Sequence, residues 1–305
     1  MKNRFNFIIF AFILLLTSCI KDKAQEEEKV SVVLTFNTRS VSETYDTDSG
    51  EGIQSIRVII AQNGTVVKNE YYPELSYNAS LSSRTFTIFD VPVGNADFYI
   101  IANADKSGIT DWTPYNVGQT PSFDLLTRHV MTTANGIVEP PFPIAQQFLN
   151  QSIRTNGQEL NFSIIRSVVK LNFMFTNKSD KDITLEQIKL GTFVPDKTFL
   201  FPQESRPVDL NYHPLNMNNI NQVVQAGTSF MKTVYIYENT GTDTDAYTVA
   251  IVVDGYTYEP LPLNLTSITR NTQVNIKMTI TPSNVGLSYI VDDWTNTPVT
   301  IPPFD

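Results

Sequence analysis

Apolar residues in this chain recur at every second position, in short runs closed by turn-forming residues, and that period of two most constrains the fold. Val30, Val32, Leu34 and Phe36 fall on one face of such a run, with Ser31, Thr35 and Asn37 on the other and only Val33 breaking the alternation. This is the pattern of a half-buried strand. Runs at 55–61, 84–89, 96–103, 167–176, 233–238, 247–253 and 273–281 predict further strands. Turn signals stand between them, among them Asn63-Gly64, Pro92-Val93-Gly94 and Asp254-Gly255. The clearest hairpin joins Val249-Ala-Ile-Val-Val253 to Tyr256-Thr-Tyr258 through Asp254-Gly255, a pair that tolerates the positive φ of a two-residue turn.

Helical periodicity is scarce, and short helices are predicted only around 123–131 and 218–225. Aromatic and β-branched residues are frequent and prolines are scattered throughout. Together these predict an all-β fold with minor helix, built from stacked β-sandwiches and not from a parallel α/β sheet. The polar stretch 151–158 contains Asn156-Gly157 and follows the proline-rich Glu139-Pro-Pro-Phe-Pro143, so a domain boundary is expected there, between 40–157 and 158–305. No internal repeat is evident at the level of sequence.

The N-terminal residues bear on compartment. Lys2 and Arg4 precede an apolar run at 7–16, and Leu16-Thr17-Ser18 then leads into Cys19. This resembles a bacterial lipoprotein signal, with 1–18 removed and the Cys19 thiol acylated. A membrane anchor is the other reading, for which the apolar run is short. Cys19 is the one cysteine of the sequence, which excludes an internal disulfide or a cysteine-based metal site. Residues 20–29 hold seven charges and no apolar cluster, as a solvated tether would. Loss of Lys2 and Arg4 with the signal takes the net charge from −9 to −11. An acidic chain without a basic cluster lacks the surplus of Lys and Arg that phosphate contacts require, so nucleic acid is not an expected partner.

Candidates for chemistry are sparse. His129 and His213 stand far apart, outside any metal-binding spacing, and both read as surface or loop residues. Tyr45-Asp-Thr-Asp-Ser-Gly-Glu51 has some acids of a calcium loop but lacks its later ligands, and reads as a flexible acidic linker; Asp243-Thr-Asp245 reads as an exposed loop. Asp292-Asp293 beside Trp294 is a poor carboxylate pair, because adjacent residues on a strand point to opposite faces. No catalytic residue, metal or cofactor is predicted, and an enzyme is disfavoured.

Taken in order along the chain, several weak motifs resemble those of the FimA-type fimbrillins, subunits of the protease-assembled type V fimbriae of Bacteroides-like bacteria. They are the lipobox ending at Cys19, Val30-Ser-Val-Val-Leu-Thr35 with Arg39 after it, Phe98-Tyr-Ile-Ile-Ala-Asn103 and Val130-Met-Thr-Thr133. The second half adds Arg166-Ser-Val-Val-Lys170, Val234-Tyr-Ile-Tyr-Glu-Asn239, Arg270-Asn271 before Ile276-Lys-Met-Thr-Ile280, and Val291-Asp-Asp-Trp294. The resemblance implies two tandem transthyretin-like Greek-key β-sandwiches. It also implies export to the outer membrane and cell surface as a lipoprotein held through Cys19, with 19–39 as a propeptide. A trypsin-like protease would cut between Arg39 and Ser40, releasing the strand that carries Val30, Val32, Leu34 and Phe36. A C-terminal strand of a neighbouring subunit would then fill the groove and build an adhesive fimbria, as a homopolymer or with accessory and anchor subunits. In this chain the donor would lie within 287–305, with Val299, Ile301 and Phe304 as its apolar side chains.

The residues alone leave alternatives open. Without the resemblance, Arg39 reads as a strand-end charge, and the last residues read as a final strand and frayed tail in which Pro302 and Pro303 limit pairing. A membrane-held anchor or accessory subunit would keep the first strand. A glycan-binding surface lipoprotein would present an aromatic platform, for which Trp112, Tyr115, Tyr256 and Tyr258 are candidates.

Overall fold

A computed structural model describes residues 28–38, 51–73, 83–241, 246–281 and 285–293. The first strands are β1 (Lys29–Thr38), β2 (Ile56–Gln62), β3 (Thr65–Tyr72), β4 (Ser83–Pro92) and β5 (Gly94–Ala102). After β6 (Val130–Thr132), which stands apart, come β7 (Ile144–Ile153) and β8 (Gln158–Ile164). These make a three-stranded sheet, β4–β1–β8, facing a four-stranded sheet, β3–β2–β5–β7. β4 returns beside β1 after the β2–β3 hairpin, which is a Greek-key return. Inward side chains of both sheets, including Val32, Leu34, Phe36, Ile56, Val58, Phe98 and Phe162, form one core.

The second half begins with β9 (Val168–Asn177), β10 (Ile183–Pro195), β11 (Lys197–Phe199), β12 (Tyr212–Met217) and β13 (Gln222–Val224). It continues with β14 (Ser229–Tyr237), β15 (Thr248–Val253), β16 (Tyr256–Thr257), β17 (Leu261–Pro262), β18 (Thr272–Ile280) and β19 (Val285–Asp293). One sheet runs β14–β9–β18–β19 and the other β12–β10–β15–β16, with β13 on β10 and β17 on β15. Leu171, Phe173, Phe175, Ile188, Ile251 and Ile276 lie in the second core. A third cluster joins the two halves: Ile59 and Ile101 from the outer face of the first sandwich meet Phe142, Val168 and Tyr235. Leu126 of the short helix α1 (Phe123–Thr127) and the ribbon of β6 and β11 close over it. The protein is therefore all-β with minor helix, a tandem pair of β-sandwiches.

The tandem is a repeat that the sequence conceals. The order β4–β1–β8 reappears as β14–β9–β18, and β3–β2–β5–β7 as β12–β10–β15–β16, each time with the same chain order. In both halves the first strand runs antiparallel to one neighbour and parallel to the other. Among the described residues β19, beside β18, and the short β13 and β17 have no counterpart in the first sandwich. The halves share alternation and topology more than residue identity, so period-two patterning is conserved between them while a repeat search finds little.

All seven predicted runs after the first are strands, and Asn63-Gly64 (φ 50° and 79°) and Asp254-Gly255 (φ 48° and 76°) make the expected turns. Three expectations change. The stretch 218–225 is no helix: Asn219 and Asn221 have φ of 62° and 45°, and β13 pairs with Ile183, Thr184 and Leu185. The predicted helix at 123–131 shortens to α1, because the chain is drawn at Val130 into the ladder with β11. Within the polar stretch at 151–158, residues 154–157 are the exposed turn between β7 and β8, while Ile153 of β7 and Phe162 and Ile164 of β8 belong to the first core. We therefore place the boundary past 157, at 165–167, where Arg166 and Ser167 are fully buried and Ser167 Oγ donates to the Pro143 carbonyl at 2.7 Å.

Candidate functional site

The first strand lies in the middle of its sheet. β1 pairs antiparallel with β4, Leu34 facing Phe86, and parallel with β8, Leu34 facing Leu160. β4 and β8 are not paired with each other, so β1 alone unites the sheet. Val32, Leu34 and Phe36 are fully buried and Val30 is 5% exposed. Burying such side chains contributes roughly 1.5–3 kcal/mol each before entropy is deducted. Phe36 lies 5.9 Å from Phe86 and 6.0 Å from Phe162, ring centre to ring centre. On the other face, Ser31 donates through N–H and Oγ to Asn156 Oδ1 at 2.8 and 2.7 Å, and the Thr35 and Thr85 hydroxyls are 3.1 Å apart. Removing β1 would strip a ladder from two strands at once and open a groove along the first core.

Thr38 ends β1, and Arg39 and Ser40, the predicted cleavage pair, follow it outside the described residues. Cys19, Val299, Ile301, Phe304, Asp243, Asp245 and Trp294 also lie outside them. The chain returns at Glu51, which is not the exposed end of an acidic linker but 5% exposed. Its Oε1 accepts from Lys170 Nζ of β9 at 2.8 Å and from the Tyr235 hydroxyl of β14, so burial is compensated by an ion pair and a hydrogen bond. Asn103 fixes the residues just beyond. It is fully buried in the left-handed conformation, φ 52°. Its Oδ1 accepts from the Gln54 N–H at 2.8 Å, and its Nδ2 donates to the Gly52 and Phe142 carbonyls at 3.1 and 2.9 Å. The entry to β2 is thus held without β1.

The remaining candidates are not brought together. His129 is half-buried, with Nε2 3.0 Å from the Ser107 carbonyl; burial lowers its pKa against a smaller opposing contribution from that bond. His213 stands exposed on β12 and not in a loop, because Val194 of β10 pairs with it. No group of three or more metal-ligating residues occurs among the described residues, nor a helix long and apolar enough to cross a membrane. Asp292 and Asp293 are consecutive positions of β19, paired with Gln273 and Thr272. The four aromatics do not form one platform. Trp112 packs on the Arg57 guanidinium at 4.3 Å and Tyr115 is 7% exposed, both at the first sandwich. Tyr256, 63% exposed, meets Tyr258 edge-on at the far hairpin of the second.

Sequence reasoning missed β8, the parallel partner of β1. Its signal was present, since Leu160, Phe162 and Ile164 alternate, but the polar turn before it drew a boundary instead. Phe86 and Phe162, which flank Phe36, likewise declare their role only once β4 and β8 are side by side with β1.

No family model matches the sequence, and no curated protein matches it. Solved structures do. The tip fimbrial protein Mfa3 from Porphyromonas gingivalis, with a C-terminal truncation, superposes with a TM-score of 0.61 at 16% identity, over 88% of this chain and 100% of that one. A fimbrilin from Porphyromonas gingivalis follows at 0.57 and 11% identity, covering 86% and 97%. A fimbrial assembly protein from Parabacteroides distasonis gives 0.53 and 13%, covering 87% and 99%. The chain has the fimbrillin fold. At such low identity the fimbrillin likeness is one of architecture, and it spans the relatives' full length, including both sandwiches.

Proposed function

We propose that this protein is a structural subunit of a cell-surface fimbria. It is exported as a lipoprotein precursor acylated at Cys19, cut after Arg39, and joined to neighbouring subunits by a strand that takes the place of β1. The observation that carries this reading is the position of β1: it is central in a sheet whose other two strands do not pair with each other, with four apolar side chains in the core. Arg39 follows its last residue directly. Cleavage there leaves β1 held by non-covalent contacts alone, so a strand of similar pattern can compete for the same ladders and pockets. The incoming strand belongs to another subunit, and head-to-tail repetition gives an open filament. This chain's own donor segment is placed after β19, where Val299, Ile301 and Phe304 supply apolar side chains. The other partners are a trypsin-like processing protease and, before cleavage, outer-membrane lipid; the assembled product supports adhesion. The fimbrial neighbours in fold support a structural role over a catalytic one.

A cross-link tests strand departure separately from cleavage. Thr35 and Thr85 are direct antiparallel partners with touching hydroxyls, so cysteines at both positions have the geometry to form a disulfide across β1 and β4. In the oxidised T35C/T85C protein, cleavage after Arg39 is expected to proceed while assembly into high-molecular-weight material stops, and reductant is expected to restore it. Assembly that continues unchanged in the oxidised variant would show that β1 never leaves.

A further inference from the structure

β1 and β9 hold the same place in their sandwiches, and both are ten residues long. With their ends matched, Val30, Val32, Leu34 and Phe36 correspond to Val169, Leu171, Phe173 and Phe175, and all eight are at most 5% exposed. Side-chain size increases toward the C-terminal end in each, and each closes on phenylalanine. Around Phe36 the packing is aromatic. Phe86 and Phe162 flank it, Tyr72 lies 4.7 Å from Phe86, and Phe148 and Phe98 lie 4.3 and 5.1 Å from Phe162. The other end is looser, since a bulge interrupts the β1–β4 register between Val30 and Val32.

Resting on the strand replacement proposed above, we infer that the incoming strand is recognised chiefly at the Phe36 position. The partner is an extended segment of another subunit with apolar side chains at four alternate positions and an aromatic ring at the last. It has no proline along the stretch paired on both sides, where ladder N–H groups are needed, so the occupant comes from a subunit other than a copy of this chain, whose own tail carries Pro302 and Pro303. The physical reason is register. A slip of one residue turns every apolar side chain to the outer face, and a slip of two takes the ring away from Phe86 and Phe162, which three further rings back. Offset and tilted ring contacts also reward an aromatic there beyond its buried area. An aliphatic side chain at that position fills less of the space and leaves its neighbouring rings without partners.

The test uses the full chain with a site-specific protease sequence inserted after Ser40, cut once, and incubated with labelled peptides. The peptide 29–38 is expected to enter the slot as bound β1 leaves. Its Phe36→Ala variant is expected to bind about 100-fold more weakly or worse, and its Val30→Ala variant about tenfold or less more weakly. A peptide of residues 168–177, from β9, is expected to bind within about tenfold of 29–38, because it carries the same alternate pattern. If 29–38 binds but Phe36→Ala loses no more than Val30→Ala, or if the β9 peptide is rejected, the inference falls while strand replacement stands. If unaltered 29–38 never enters, strand replacement itself is contradicted.

Discussion

Leu34→Asp is expected to prevent the uncut protein from folding its first sandwich. Leu34 is fully buried at the centre of β1, between Phe86 of β4 and Leu160 of β8. A carboxylate there has no cation to meet, and burying it unpaired costs roughly 5 kcal/mol or more, against a total stability of about 5–15 kcal/mol for an ordinary domain. Leu34→Met conserves volume and is expected to cost less than about 1.5 kcal/mol. Soluble yield and thermal unfolding of the precursor check both. The account makes this lesion specific to the precursor, since β1 is discarded on assembly. Phe173→Asp at the matching position of β9 damages a strand that is never exchanged, so it is expected to harm precursor and assembled subunit alike. A Leu34→Asp precursor with unchanged unfolding would mean that β1 does not occupy the core.

Arg270→Ala is expected to destabilise the second half by about 3 kcal/mol, the low end of the cost of breaking a buried ion pair, because the Glu238 side chain left behind is 22% exposed. Arg270 is 9% exposed. Its guanidinium donates to the Glu238 carboxylate, through Nε at 2.8 Å and also through Nη2, to Thr198 Oγ1 at 3.0 Å and to the Phe199 carbonyl at 2.9 Å. It thereby ties the end of β14 and the start of β18 to β11, the strand that with β6 covers the cluster between the sandwiches. Arg270→Lys is expected to recover only part of the loss, because a point charge cannot reach acceptors spread over that fork. Chemical denaturation of the single variants, with Arg270→Ala/Glu238→Ala closing the cycle, measures the coupling. A coupling below about 0.5 kcal/mol would contradict a built ion pair at this site.

How much of this was legible in the sequence follows from which contacts are local. The alternation of Val30, Val32, Leu34 and Phe36 records a strand with one face in a core, and Asp254-Gly255 records the turn that its positive φ demands. Neither depends on a distant partner. The pairing of β1 with β8 does, since Val32 meets Gln158 across the whole first sandwich, and nothing near either residue names the other. The stretch 218–225 departs from its predicted helix for the same reason: its short strand exists because β10 offers an edge to Gln222, Val223 and Val224. The acidic stretch 45–51 reads as a linker, yet Glu51 at its end is buried because Lys170 and Tyr235 come to it from the other half. The site was half legible in the same sense. The apolar face of β1 stands in the sequence, whereas its central place in the sheet and the rings around Phe36 arise only from the assembled strands.

The most direct test of strand replacement is the N-terminal sequence and intact mass of the protein sheared from the cell surface, set against the membrane-retained fraction. The account predicts a start at Ser40 in high-molecular-weight sheared material and a lipidated start at Cys19 in the membrane. A lipidated Cys19 start in every fraction would contradict it, leaving β1 as a permanent strand of a membrane-held protein.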